Sequence, residues 1–387
     1  MKRGLTGRYR TTITAGERVQ AFIPNTLPPI PAIVLDGKRQ QLLERATLAL
    51  GRLDSVGALL PATEQLLYSY VRQEAVLSSQ IEGTRSTLSD LLLFELEQAP
   101  GTPIDDVLEV SSYVAALHHG IARLNDGFPL TGRLICEMHA ILMEQGRGRN
   151  KLPGMFRRTQ NWIGGTRPGN AHFVPPPPDE IAECMSNLEK FINDSDGLPI
   201  LLRAAAAHVQ FETIHPFLDG NGRIGRLLIT LLFVNHGVLK HPLLYLSLFL
   251  KQHRHTYYRL LDTVRMDGDW EEWIDFFLEG IEQTATNALI TAQKLVQLFN
   301  GNTATIQKSG RSATSALRVH TIMCQRPIIT IRYLCQHHGM TFPTASKAVD
   351  TLVALGILKE LTGQRRNRVF VYQTYLDVLG PGNEVQT

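Results

Sequence analysis

Residues 198–237, LPILLRAAAAHVQFETIHPFLDGNGRIGRLLITLLFVNHG, leave this chain few ways to fold. The first part is apolar and alanine-rich with no polar stripe, which describes a helix buried on most sides. The last part, RIGRLLITLLFVNHG, is a second buried helix closed by Gly237. Only a short bend rich in glycine separates them. Two buried helices joined so tightly require a helical core around them.

The remaining pattern agrees with a helical core. ATEQLLYSYVRQEAVLSSQIEG reads as one helix stopped by Gly83, and IDDVLEVSSYVAALHHGIARL as another with Asp105 and Asp106 in its first turn. TGRLICEMHAILME and DEIAECMSNLEKFIND continue the periodicity, and two further helices are broken at Asp267-Gly268. Trp270, Trp273, Phe276 and Phe277 recur at helical spacing and read as core. The proline-rich N-terminus (Pro24, Pro28, Pro29, Pro31) reads as an extended arm. Between helices, NWIGGTRPGNAHFV has β-prone ends around a turn, so residues 162–174 are expected to form a hairpin or flap.

Composition changes at NGNTATIQKSGRSATSA, which reads as a linker. Beyond it come helix, turn, helix (TFPTASKAVDTLVALG) and two short strands joined by the basic loop TGQRRNR, the order of a winged helix-turn-helix. The expected fold class is therefore mostly α, with a small β-hairpin flap and a C-terminal winged helix. The expected domains are 1–110, 111–300 and 310–387.

At 387 residues and a formal charge of +3, the chain as a whole favours neither nucleic acid nor its avoidance, so any charge signal is local. Cys136, Cys184, Cys324 and Cys335 form no ladder or Cys-x-x-Cys pair and are expected to be reduced thiols. No stretch reads as a signal peptide or a membrane span, and a cytoplasmic location is expected. The pairs His118-His119, His253-His255 and His337-His338 lack converging ligands for a metal.

The bend HPFLDGNGRIGR, His215 to Arg226, joins helix to helix, which excludes a Rossmann turn and a Walker loop, since both follow a strand. An EF-hand is excluded too. Counted from Asp219, Arg223 stands at the fifth position, Ile224 at the glycine and Thr230 at the bidentate glutamate. The glycines leave the N–H groups of Gly220, Asn221 and Gly222 free to converge at a helix N-terminus, where phosphate binds. Arg223 and Arg226, three apart, are expected on one face, reaching further phosphate oxygens. Asp219 is a hard oxygen ligand suited to Mg²⁺, and His215 has the ordinary pKa of a general base, about 6.5. Singly, each residue has an ordinary structural explanation as cap, turn or solvated charge. Together they describe a polyphosphate site.

This stretch resembles the signature H-P-F-x-[DE]-G-N-G-R-x-x-R of the Fic (filamentation induced by cAMP) family, matching at every defined position. The resemblance extends over about Leu130 to Ile281. It implies transfer of AMP from ATP to a Ser, Thr or Tyr hydroxyl of a target protein, or of the chain itself, with release of pyrophosphate. By position, it implies that His215 is the base, Asp219 the Mg²⁺ ligand, and Gly220 to Gly222 with the Asn221 side chain the α-phosphate hole. It further implies that Arg223 and Arg226 hold the outer phosphates and Phe217 fixes the loop. The implied ATP-binding set is Glu82, His215, Gly220, Asn221, Gly222, Arg223, Ile224, Gly225, Arg226 and Tyr258, the last preferred over Tyr257 as a border of the nucleotide. The flap is the implied docking edge for the target, and pairing into a homodimer is an open expectation.

SSQIEG also fits the inhibitory pattern [ST]-x-x-x-E-[GN] of one Fic class, with Ser78, Glu82 and Gly83 in register. The resemblance implies that Glu82 pairs with Arg226 and denies it to the γ-phosphate; it also leaves open removal of AMP by the same site. A competing reading makes the chain a DNA-binding regulator that senses nucleotide. Its basis is the basic C-terminal set Arg318, Arg326, Arg332, Lys347, Lys359, Arg365, Arg366 and Arg368 against Asp350, Glu360 and Asp377. Winged helices that mediate protein contacts are the alternative to that reading.

Overall fold

The protein was analysed as a computed structural model that describes residues 1–59, 63–96, 104–194, 197–364 and 366–380. Arg365 of the expected wing lies outside the described residues.

The N-terminal arm is not simply extended. It forms a hairpin of β1 (Gly7–Thr14) and β2 (Glu17–Pro24), paired antiparallel from Gly7↔Pro24 to Thr14↔Glu17. Ala15 (φ 50°) and Gly16 (φ 81°) make the two-residue turn, whose left-handed backbone matches the twist of the strands. Pro24 closes β2 at its last pair, opposite Gly7, and Pro28, Pro29 and Pro31 follow the strand, so the pairing is left intact.

Helices follow in the expected order: α1 (Gly37–Leu59), α2 (Thr63–Ile81), α3 (Leu88–Phe94), α4 (Ile104–Asn125), α5 (Gly132–Leu142) and α6 (Ile181–Asn193). The central pair is α7 (Ile200–Ile214) and α8 (Asn221–Asn235), and every residue from Leu201 to Ile214 is buried. Next come α9 (Ser247–Gln252), α10 (Arg254–Asp267) and α11 (Trp270–Gln307). Gly268, at φ 64°, makes the break between the last two. Trp270, Trp273, Phe276 and Phe277 are all buried, and the Trp273 indole donates to the Ala205 carbonyl at 3.0 Å, fastening α11 to α7.

The flap is slighter than a hairpin. Ile163 and Phe173 form a single bridge around a 3₁₀ turn at Pro168–Asn170. Gly164 and Gly165, both left-handed (φ 68° and 71°), turn the chain out of register after one pair. The N-terminal hairpin lies against this flap. The Phe22 N–H donates to the Val174 carbonyl at 2.9 Å, and Glu17 accepts from the Arg167 guanidinium at 2.9 Å and the Gly169 N–H at 2.8 Å.

The expected linker is largely helix. α11 runs through Gly301 to Gln307, carrying a buried stripe of Ala285, Ala288, Ala292, Leu295, Phe299 and Ile306. That stripe, spaced at three, four and seven residues, outweighs the poor helix formers on the exposed side. The C-terminal region then forms α12 (Ala313–Gln325), β3 (Ile328–Thr330), α13 (Ile331–His338) and α14 (Phe342–Ala354). It ends with β4 (Lys359–Glu360), β5 (Val369–Val371) and α15 (Gln373–Leu379), its antiparallel sheet ordered β3-β5-β4. This region packs on the helical core. Ser69 of α2 and Tyr375 of α15 share a hydrogen bond of 2.8 Å, and Arg326 reaches Glu95, just past α3, at 3.0 Å. Among the described residues no helix is long and apolar enough to cross a membrane. All four cysteines are free thiols.

Candidate functional site

The α7–α8 bend is held from outside the motif. α7 ends because His215 turns left-handed (φ 48°, ψ 59°) and Pro216 has no N–H to continue the helix. Arg157, only 2% exposed, donates from Nε to the His215 carbonyl at 2.9 Å, and Asn161 donates to the Phe217 carbonyl at 3.0 Å. His139 of α5 stacks on Phe217 with ring centres 3.7 Å apart. Its Nε2 lies 3.0 Å from the Asp219 carbonyl and its Nδ1 accepts from the Gly154 N–H at 2.9 Å. Those partners fix the tautomer with the proton on Nε2. Burial pushes the His139 pKa down to about 4, which keeps the ring neutral in that role. Sequence reasoning missed Arg157, Asn161 and His139. The visible signal was a polar residue set in an otherwise apolar run, as in ICEMHAILM.

Asn221 faces inward, contrary to its expected role. Its side chain accepts from the Phe217 N–H at 2.9 Å and donates to the Phe217 carbonyl at 2.8 Å, so it closes the loop rather than lining the anion hole. The Gly220 N–H is likewise engaged, by Asp219 Oδ1 at 2.6 Å. The converging N–H groups are instead those of Asn221, Gly222 and Arg223, which open α8 and have no acceptor within the helix.

Arg223 and Arg226 are both buried, at 4% and 3% exposure, and do not reach outward side by side. Each turns toward an acid on a different helix. Arg223 bonds Glu109 of α4 at 3.2 Å. Arg226 bonds Glu82 Oε1 at 2.7 Å, the Ser78 carbonyl at 3.0 Å and the Ser78 hydroxyl at 2.7 Å. Burial pushes the Glu82 carboxyl upward, but the Arg226 charge and hydrogen bond outweigh it and leave the carboxyl below its ordinary value. Glu82 also lies over the first turn of α8: a Cβ built on Gly222 would stand 2.2 Å from its Oε1. A carboxylate thus sits at the positive end of α8, where an anion is favoured. Glu82 follows the C-terminus of α2, where the helix dipole disfavours a carboxylate, and the Arg226 pairing offsets that placement.

Other expected residues are placed less directly. Ile224 is core, and Gly225 faces α7, where an added Cβ would meet Glu212 Oε1 at 2.4 Å. Tyr257 is buried with its hydroxyl 2.8 Å from His208 Nε2, whereas Tyr258 is 38% exposed. Gly83, at φ 97°, ends the α2 segment as read. His215 is half-buried; burial, with the Arg157 and Arg265 charges, pushes its pKa down to about 4, so the imidazole is neutral at pH 7. The Asp219 side chain is 45% exposed. No cluster of three or more His, Cys, Asp or Glu able to hold a metal occurs among the described residues.

Comparison with known proteins finds one family. Residues 40–122 match the Fic/DOC family N-terminal model and residues 129–233 the Fic/DOC family model. A protein named protein adenylyltransferase Fic from Drosophila yakuba is 31% identical over 255 residues, covering 65% of this chain and 48% of that protein. Its namesake from Aedes aegypti is 31% identical over 311 residues, covering 74% of this chain and 58% of that one. The chain thus spans about half the length of the curated relatives it matches. A Fic family protein from Desulfovibrio desulfuricans shares the fold with a TM-score of 0.58 at 18% identity, over 89% of this chain and 98% of that one. Residues 134–508 of Fic-1 from C. elegans give a TM-score of 0.52 at 20% identity, over 67% and 74% of the two chains. With both family models matched in order and the motif bend seated between two buried helices, residues 40–122 form a Fic/DOC family N-terminal domain and residues 129–233 a Fic/DOC family domain.

Proposed function

We propose that this chain transfers the AMP moiety of ATP to a Ser, Thr or Tyr hydroxyl of a protein and that Glu82 restrains it. The observation that carries this reading is the Glu82 carboxylate seated on Arg226 and over the first turn of α8. An anion position already filled by a side chain is where a nucleotide phosphate would go. Around it stand a neutral imidazole and a half-exposed carboxylate on the same bend.

In this mechanism the Asn221, Gly222 and Arg223 amides bind phosphate oxygens, and Arg226, once freed, holds the γ-phosphate. Tyr258 borders the nucleotide. His215 takes the proton of the incoming hydroxyl, whose oxygen forms a bond to the α-phosphorus. The bond from that phosphorus to the bridging oxygen breaks, and pyrophosphate leaves with the electron pair. Positioning and charge supply the rate. The residues present fit Mg²⁺: Asp219 Oδ1 is engaged by the Gly220 N–H, while the carboxylate as a whole keeps access to solvent. A lone half-exposed carboxylate suits a cation shared with phosphates rather than a closed protein cage. When bound, Mg²⁺ neutralises charge on the phosphate oxygens.

The flap, braced by the N-terminal hairpin, is the docking edge for a target segment adding as a strand. With the AMP–protein ester bound in place of ATP, water attacking the phosphorus would break its bond to the protein oxygen, which leaves as the reprotonated hydroxyl, and so remove AMP. Incubation with ATP labelled at either the α- or the γ-phosphorus tests the reaction. Covalent label from the α position alone is expected, and retention of the γ label on protein would overturn the reading.

A second reading concerns the C-terminal region. A cleft of about 1470 Å³ between α13, the start of α14 and residues 360–364 and 366–368 is lined by Arg332, His337, Gln364 and Arg366. Its other two arginines are occupied, Arg326 by Glu95 and Arg368 by Asp350 and Glu360. Arg332 and Arg366, with no acidic partner among the described residues, are suited to the phosphates of duplex DNA. Binding of a random-sequence duplex that weakens steeply with salt is expected, and no shift at low salt removes this reading.

A further inference from the structure

Arg223 is poised between two acids at unequal distance. Its Nη1 bonds Glu109 Oε2 at 3.2 Å, while its Nη2 stops 3.6 Å from Asp219 Oδ1, beyond hydrogen-bond reach. Its Nε is buried with no partner. Glu109 is fixed from its other side: Arg147 Nε donates to its Oε1 at 2.8 Å, and Arg147 Nη2 lies 3.2 Å from Asp106. Asp106 in turn accepts the Arg85 N–H at 2.7 Å, three residues after Glu82. The side chains of Arg223 and Glu109 are 5% and 8% exposed, so water screens their pairing little.

A guanidinium that lost Glu109 would keep Asp219 as its remaining ion-pair partner among the described residues. The two are already an ion pair at 3.6 Å, and closing the remaining distance would add direct hydrogen bonds to it. A carboxylate so paired surrenders both lone pairs and negative potential, the two properties by which it holds a divalent cation.

We propose that Glu109 is a positioning residue for the metal site: it keeps Arg223 from hydrogen-bonding Asp219, and so keeps that carboxylate available to Mg²⁺ arriving with the nucleotide. The proposal rests on the nucleotide reading of the bend. It gives the buried charges of α4 a task that the transfer mechanism leaves unassigned. Glu109 is absent from the motif and lies 114 residues before Arg223.

Calorimetric titration of the full chain with ATP, once with Mg²⁺ and once with EDTA, tests it. The quantity read is the ratio of the two affinities. In Glu109→Gln the ratio falls on the order of tenfold, while metal-free ATP binds within about twofold of the parent. Glu109→Asp, which keeps the charge but retracts it by one methylene, shows a smaller fall and serves if the first variant does not fold. A ratio equal to the parent's in either folded variant overturns the proposal, as do equal losses in both conditions, the mark of general loosening. A parent that gains nothing from Mg²⁺ overturns the nucleotide reading itself, and the proposal with it.

Discussion

Glu82→Gly should transfer AMP about 10- to 100-fold faster than the parent chain. The γ-phosphate can reach Arg226 only by displacing a carboxylate bonded to it at 2.7 Å. A hydrogen bond to a charged group contributes roughly 1.5–3 kcal/mol, and each 1.4 kcal/mol is about tenfold. The substitution is also easy on the fold. Position 82 follows the last turn of α2, and Gly83 beside it already takes the left-handed turn. Arg226 keeps both of its bonds to Ser78, so it stays aimed at the phosphate position rather than collapsing elsewhere. Transfer of α-phosphorus label in parent and variant measures the effect. Equal rates would mean that the Glu82–Arg226 pair is only structural.

His215→Ala, made in the Glu82→Gly background, should lower the rate by about 10²- to 10⁴-fold, the usual contribution of a positioned general base. Nucleotide affinity should hardly change, because the amides and arginines of α8 are untouched. The pH profile carries the same assignment. Burial holds the imidazole at about 4, so it is in its base form throughout the neutral range. With His215 intact, kcat/KM should stay level as pH falls through 6.5 and drop only toward pH 4. An acid limb centred near 6.5 would show a solvated histidine and contradict the site as described.

Much of this was legible in the sequence because it is local. The two buried helices, the bend between them and the break at Gly268 each follow from residues within a turn or two of one another. The ends of the Glu82–Arg226 pair could be named because both sit in recognisable short patterns. What escaped was set by distant contacts. His139 meets the bend across 80 residues, Arg157 across 58 and Glu109 across 114, and no periodicity reports such pairings. Asn221 was misjudged for a related reason: its side chain has a backbone partner four residues earlier, which competes with any ligand. The N-terminal hairpin is masked by the prolines that end and follow its second strand. Residues 300–307 are helical despite a linker-like composition because the buried stripe of α11 continues to Ile306.

The account depends on a triphosphate lying across the first turn of α8. A crystal structure of the Glu82→Gly chain with Mg²⁺ and an ATP analogue unable to break its α–β bridge tests this most directly. The account predicts the γ-phosphate on Arg226, a cation on Asp219, and the His215 ring facing the α-phosphorus with room for a hydroxyl about 3–3.5 Å away. Phosphates bound elsewhere, or an imidazole turned from the α-phosphorus, would contradict it.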